Sequence, residues 1–281
     1  DVLSLGMGEG LKENVLKFVD PSTGRLVAIR PDITPQVARL VATRMRRHPL
    51  PLKICYNEGV IRNYGPGENR EREILQIGAE YISKKQSHEA DGLMICMAIE
   101  GLLAAGLKDF KLDIGDVGFL KSVFDSLNLR KKELVPVKDA VARKDSSGLD
   151  ATIAGLGRKI SRQQKKILLE LTSFYGEDEV IDRAYGFASG AGKGSLDNLK
   201  AVWKIIAKKG YKAHVTIDLG EVRGFDYYTG IIFEGFAKGF GKPILSGGRY
   251  DTLLEKYGYK AAAIGFAFNV ETLVDALEKR R

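Results

Sequence analysis

The sequence predicts an α+β fold, a mostly antiparallel sheet flanked by helices with a long helical stretch inserted into it. Three observations carry that prediction. Strand-like runs fill the first third of the chain and return over about the last seventy residues. Between them, from about 119 to 209, apolar residues recur at helical spacing almost throughout. The chain has 281 residues, 44% of them hydrophobic, which is enough for a substantial core.

The elements follow in order. Asn14 to Val19 reads as a strand, DPSTG (20–24) as a turn, and Arg25 to Ile29 as the returning strand of a hairpin. Thr34 reads as a helix N-cap with Pro35 at the first helical position, and Val37, Leu40, Val41 and Met45 share one face. Leu52–Ile61 and Ile74–Ile82 are strands, joined by the charged loop RNYGPGENRER (62–72), whose position between two strands suits ligand contact. Ser87 caps an apolar helix that ends near Gly106, and Lys111–Asp116 is a strand. Ser161 with Gln164 forms a capping box ahead of Leu168, Leu169, Leu171 and Phe174. Ser195 opens a helix carrying Leu196, Leu199, Val202, Trp203 and Ile206, and Gly210 ends it. HVTIDL (214–219) alternates as a strand. FDYYTGIIFEGF (225–236) and AAIGFAFNV (262–270) are long strands, and SGGRYDTLLEKYG (246–258) between them turns into a helix. Glu271–Lys279 is a closing helix.

Several functions are set aside. No run of 18 apolar residues and no signal peptide is visible, so the reading is a cytoplasmic protein off the membrane. Cys55 and Cys96 lie in apolar stretches and read as reduced, buried thiols. His48, His88 and His214 are scattered, no metal-ligand spacing occurs, and no cofactor is implied. GFASGAGKGS (186–195) has neither the glycine spacing nor the Ser or Thr of a phosphate loop, and reads as a connection between helices. The net charge of +8, from 44 basic and 36 acidic residues, reads as solvated helix faces.

Four segments place polar residues where a sheet would otherwise be apolar. They are Arg30-Pro31-Asp32-Ile33-Thr34, Arg62 with Arg70 and Arg72, Gln76-Ile77-Gly78-Ala79-Glu80, and Arg223 with Tyr227 and Tyr228. Strand alternation puts Gln76, Gly78 and Glu80 on one face, with Gly78 leaving room between two polar groups. Together they suit a pocket for a small, polar, partly aromatic ligand.

RGFDYYTG (223–230) followed by GGRYD (247–251) resembles the two histidine-recognition strings of histidyl-tRNA synthetase. QIGAE (76–80) is similar to the end of that family's second class II motif, and AAIGFAFNVETLVDAL (262–277) to its third. The resemblance implies the class II aminoacyl-tRNA synthetase-like catalytic domain: one domain over 1–281 with a helical insertion at about 120–212. It places the first class II motif upstream of Asp1. The departures are specific. Thr272 stands where the synthetase carries an ATP-binding arginine, Asn269 where it has glycine, and Tyr64 where it has glutamate. RPDIT replaces RPEGT, and no anticodon-binding domain follows before Arg281.

That combination resembles a synthetase paralogue family, the regulatory subunits of ATP phosphoribosyltransferase. This second resemblance implies a non-catalytic protein of histidine biosynthesis. It would form a homodimer within a hetero-octamer with short-form catalytic subunits, activate them, and relay feedback inhibition by histidine without binding tRNA. The alternative is a truncated or divergent histidyl-tRNA synthetase. Under the first reading the histidine site comprises Asp32, Thr34, Arg62, Gln76, Glu80, Arg223, Tyr227 and Tyr228. Asp32, Thr34, Gln76 and Glu80 suit the ligand ammonium, and Arg62 suits its carboxylate, to which the resemblance adds Arg223. One of the two tyrosines faces the ligand.

Overall fold

The computed structural model describes residues 15–64, 72–157, 160–222 and 228–279. A short hairpin comes first, β1 (Lys17–Val19) and β2 (Leu26–Ala28), antiparallel with Lys17 opposite Ala28. Asp20 makes its turn, accepting from the Ser22 amide at 2.9 Å and the Thr23 hydroxyl at 2.6 Å. Helix α1 (Thr34–Arg44) has Ile33 at its cap position and no side-chain cap. Thr34 is thus the first helical residue and not the N-cap, because its hydroxyl is drawn to a buried carboxylate. The face that α1 buries is Pro35, Val37, Ala38, Val41 and Ala42. Leu40, expected on that face, is 46% exposed; at 100° per residue it stands roughly 150° round from the centre of the buried stripe.

β3 (Leu52–Ile61) and β4 (Glu73–Ser83) pair along their whole length, with Tyr56 opposite Gly78 and Ile54 opposite Glu80. Alternation then sorts the side chains. Ile54 and Tyr56 join the apolar cluster under α1, whereas Cys55 points to the other face and is exposed. Only Cys96 is a buried thiol, in α2 (His88–Ala104), whose N-cap Ser87 accepts from the Ala90 amide at 3.1 Å.

β5 (Phe110–Asp116) leads into the helical stretch: α3 (Val117–Ser126), α4 (Lys131–Ala142), α5 (Ser146–Gly155), α6 (Arg162–Leu171), α7 (Glu179–Tyr185) and α8 (Ala191–Lys208), with a two-residue strand β6 (Tyr175–Gly176) among them. The helix starts are chemically marked. Asp116 caps α3 through the Phe119 amide at 3.0 Å, Asp145 caps α5 through Gly148 at 2.7 Å, and Ser161 with Gln164 forms the expected capping box of α6. α8 begins at Ala191 and not at Ser195, so the glycine-rich run is half connection and half first turn. A Cβ at Gly192 would overlap the Ser122 hydroxyl of α3, so glycine at this position lets the two helices touch. Gly210 closes α8 with φ 82°, a left-handed conformation that glycine adopts without strain.

The chain then returns to strands. β7 (Val215–Asp218), β8 (Ile231–Ala237), β9 (Pro243–Arg249) and β10 (Ala262–Asn269) are followed by α9 (Val270–Glu278). The segment after β9 forms only a short 3-10 turn, Leu254–Tyr257. The sheet order is β3-β4-β10-β9-β8-β5-β7-β6, and every pair is antiparallel except β5 with β7. β7 is buried at all four positions, without the expected alternation, because it is covered on both faces.

The larger core gathers α2, α3, α8 and the inserted helices against β5, β8 and β10. A smaller one, with Ile33, Val37, Val41, Ile74, Ile82, Tyr250 and Leu254, lies under α1 and the 3-10 turn on the β3–β4 half of the sheet. The polar constellation opens into this smaller core.

Candidate functional site

Along β4, Ile74, Gln76, Gly78, Glu80 and Ile82 are buried on the face that α1 covers. Two apolar residues thus bracket two polar ones. Glu80 is 1% exposed and Gln76 6% exposed. Both need partners at that depth. Glu80 has three. The Thr34 hydroxyl donates to Oε1 at 2.7 Å, Tyr56 donates to Oε1 at 3.4 Å, and the Tyr250 hydroxyl donates to Oε2. Gln76 Oε1 accepts from the Ile33 amide at 3.3 Å.

Glycines make the floor. Glu80 is opposite Gly265, and Gly265 opposite Gly248, in one row across β4, β10 and β9. A Cβ at Gly265 would overlap the Glu80 carboxylate, and one at Gly248 would lie 2.7 Å from the Tyr228 ring. The sheet is thinned there so that a carboxylate and an aromatic ring lie flat on it. Gly78 has a related role with a different occupant. It shares the face with Gln76 and Glu80, as expected, but the Tyr56 ring fills the space above it and leaves no gap between two polar groups. Gly265→Ala is expected to cost on the order of 1–3 kcal/mol by overpacking, since the Glu80 carboxylate is held from both oxygens and has nowhere to go. Urea denaturation at pH 7 measures this, and an unchanged midpoint would contradict the close approach.

Asp32 and Arg62 stand at the mouth, with side chains 15% and 26% exposed and 3.9 Å apart. Asp32 accepts from the Ile33 amide at 3.0 Å and from Gln76. Arg62 Nε donates to the Pro31 carbonyl at 2.9 Å, so only its Nη edge is left to turn toward a ligand carboxylate. Among the described residues the pocket therefore holds two carboxylates and one guanidinium. Burial, opposed by the hydrogen bonds from Tyr250 and Thr34, pushes the Glu80 carboxyl up to about 8. Burial also raises Asp32, against the attraction of Arg62. Tyr228 is held well above the usual phenol range by burial and by the nearby Asp32. A site with this balance keeps a proton when empty and is suited to exchange it for a cationic ligand group.

Six of the eight expected residues, Asp32, Thr34, Arg62, Gln76, Glu80 and Tyr228, thus form one neighbourhood. Arg223 and Tyr227 lie outside the described residues, as do Arg70 and the Gly-Pro-Gly tip of the 62–72 loop. Two pocket residues escaped the sequence reading. Tyr56 gave only one signal, a tyrosine on the inward register of β3. Tyr250 lies within the GGRYD string, which marks the segment without marking the tyrosine. Arg249 turns away from the pocket into a buried ion pair with Asp91.

The departures at the third motif have a local consequence. Asn269 Oδ1 accepts from the Thr272 amide at 3.0 Å, so the pair forms the N-cap of α9. Glu271 reaches back to accept from the Leu75 amide through both oxygens, at 3.0 and 3.1 Å. Among the described residues no three His, Cys, Asp or Glu side chains are placed to hold a metal ion, and no helix is long and apolar enough to cross a membrane.

Comparison with known proteins agrees with this fold. The histidyl-tRNA synthetase family model matches residues 1–273. A protein of Syntrophotalea carbinolica named ATP phosphoribosyltransferase regulatory subunit is 44% identical over 280 residues, 99% of this chain and 65% of its own length. One of the same name from Desulforamulus reducens is 37% identical over 277 residues, 98% of this chain and 68% of its own. A crystal structure from Bacillus halodurans, described as an ATP phosphoribosyltransferase regulatory subunit/histidyl-tRNA synthetase, superposes with a TM-score of 0.87 at 31% identity, covering 98% of this chain and 70% of that one. The chain spans about 65% of the length of the first of these relatives. Matched almost end to end by these proteins and built on the same sheet, the chain belongs to the histidyl-tRNA synthetase family, on the branch of the ATP phosphoribosyltransferase regulatory subunits.

Proposed function

We propose that this chain is a non-catalytic regulatory subunit of ATP phosphoribosyltransferase, working at the first step of histidine biosynthesis. It binds free histidine, activates the short-form catalytic subunit and relays feedback inhibition. It does so as a homodimer within a hetero-octamer, from a single class II synthetase-like domain with a helical insertion at about 120–212. The observation that carries this reading is the Glu80 carboxylate, buried on a glycine floor and ringed by the hydroxyls of Thr34, Tyr56 and Tyr250. Acceptors of that kind suit the N–H groups of an amino acid, and the tyrosine hydroxyl oxygens, whose O–H groups are engaged by Glu80, still have lone pairs that accept from an imidazole N–H, which an apolar ring does not offer. The cap made by Asn269 and Thr272 supports the non-catalytic half of the reading. A guanidinium over the ATP polyphosphate is typically worth about 10²–10³ in rate, and threonine has none to offer.

The ligase reading has in its favour the match to the histidyl-tRNA synthetase family model, Arg62, Arg223 within the intact RGFDYYTG string (223–230), and the net charge of +8. Calorimetry with histidine and then ATP, on the chain with and without the short-form catalytic subunit, separates the two. The expected result is histidine binding, no histidine-dependent ATP–pyrophosphate exchange, and phosphoribosyltransferase activity that rises with this chain and falls again on adding histidine. Exchange at a synthetase-like rate would establish the ligase instead.

A further inference from the structure

Arg249 and Asp91 are the most deeply buried ion pair among the described residues, with side chains 1% and 0% exposed. Neither belongs to the pocket, yet their bonds converge on it. Arg249 Nε and Nη2 both donate to Asp91 Oδ1, and Nη1 donates to Asp251 Oδ1 at 2.8 Å. Asp251 Oδ1 also accepts the Ala263 amide at 2.9 Å, while its own amide donates to the Thr229 hydroxyl at 3.0 Å. The Arg249 carbonyl takes the Thr229 amide at 2.7 Å. Arg249 therefore fixes the backbone on either side of two pocket tyrosines, Tyr228 just before Thr229 and Tyr250 just after itself. The remaining Asp91 oxygen accepts from Asn198 Nδ2 of α8 at 3.1 Å. A second tie comes from the same layer, where Lys121 Nζ of α3 donates to the Tyr228 carbonyl at 3.3 Å.

We infer that Arg249 is a positioning residue of the pocket, and that its link through Asp91 to Asn198 makes the pocket's grip on its ligand depend on how helix α8 is seated. A guanidinium this deeply buried cannot exchange a lost partner for water, so its partners move together or stay together. A shift of α8 that pulls Asn198 away reorients Asp91, then Arg249, and with it the tyrosine that reaches Glu80. The inference rests on the histidine-pocket reading and supplies it with a route by which the helical insertion and the site influence each other.

The test is the Asn198→Ala variant, which leaves the Asp91–Arg249 pair in place, with the exposed Lys204→Ala on the same helix as control. Histidine affinity is measured by calorimetry on the full chain, and hydrogen exchange is followed without ligand. Asn198→Ala is expected to weaken histidine binding about tenfold and to speed exchange at the Tyr250 and Ala263 amides about tenfold, while Lys204→Ala changes neither. Arg249→Lys is expected to weaken binding at least as much, with the fold retained by far-UV circular dichroism. Histidine affinity within twofold of wild type in Asn198→Ala overturns the inference, as does faster exchange confined to α8 and α2. If wild type itself fails to bind histidine, the pocket reading falls, and the exchange arm still decides the link between α8 and the strands.

Discussion

Glu80→Gln is expected to weaken histidine binding by roughly 10- to 100-fold, the loss of one charge-assisted hydrogen bond worth about 1.5–3 kcal/mol. The variant also changes how stability varies with pH. The Glu80 carboxyl ordinarily titrates at 4.5 and is pushed up to about 8 in the folded chain by burial. Between those values the folded state holds a proton that the unfolded chain has released. The stabilisation from this group is thus complete below pH 4.5 and is lost as pH rises through 8. Glutamine does not titrate, so the variant's stability curve should be flatter than wild type between pH 5 and 8. A ligand cation bound to Glu80 replaces the proton, so wild type should release a proton on binding near pH 7, read as a dependence of the calorimetric heat on the ionisation enthalpy of the buffer. Glu80→Gln should lose that dependence. Unchanged affinity together with unchanged heats would remove Glu80 from the site.

The sequence pointed to this carboxylate through alternation and through the QIGAE resemblance, because a strand that reads Ile-x-Gln-x-Gly-x-Glu-x-Ile on one face has no apolar packing reason for Gln76 and Glu80. What alternation within one strand could not show is what lies beside them. Tyr56 reaches Glu80 from the neighbouring strand β3, whose register places it opposite Gly78, 22 residues on, and Tyr250 reaches it by a side-chain hydrogen bond from just past the end of β9, 170 residues away in sequence. Thr34 shows the same limit. Its place before Pro35 fits an N-cap by local preference, but a buried acceptor 46 residues away outcompetes a backbone amide that water or a helical turn can satisfy. Leu40 and Cys55 failed for a different reason. Coarse helical spacing groups Leu40 with Val37, Val41 and Met45, and an apolar stretch suggests a buried Cys55, whereas exact helix phase and strand parity turn each to the open side of its element. Conversely, the strands β3, β5 and β10, the Ser87 cap and the Ser161–Gln164 box rest on local signals that nothing distant overrides, and they appear within a residue or two of where they were read.

Asp91→Ala should destabilise the chain by about 3–5 kcal/mol, the cost of breaking a buried pair and stranding its partner. Burial drives the Asp91 carboxyl toward its neutral form, and Arg249 and Asn198 oppose that. Removing Asp91 leaves the Arg249 guanidinium with only Asp251, which is itself shared with the Ala263 amide. The loss should appear as a lowered urea midpoint with an unchanged slope, since the surface exposed on unfolding is unaltered. The paired replacement Asp91→Leu with Arg249→Met removes both charges and refills the space, so it should recover most of that loss. The two variants then separate stability from positioning. If Arg249 acts only as a structural strut, the double variant should bind histidine as wild type does. If it sets the place of Tyr250 and Thr229, the double variant should fold well and still bind histidine poorly, because no apolar side chain can hold the Asp251 carboxylate against the Ala263 amide. A stable double variant with wild-type affinity would leave the pair a matter of folding alone.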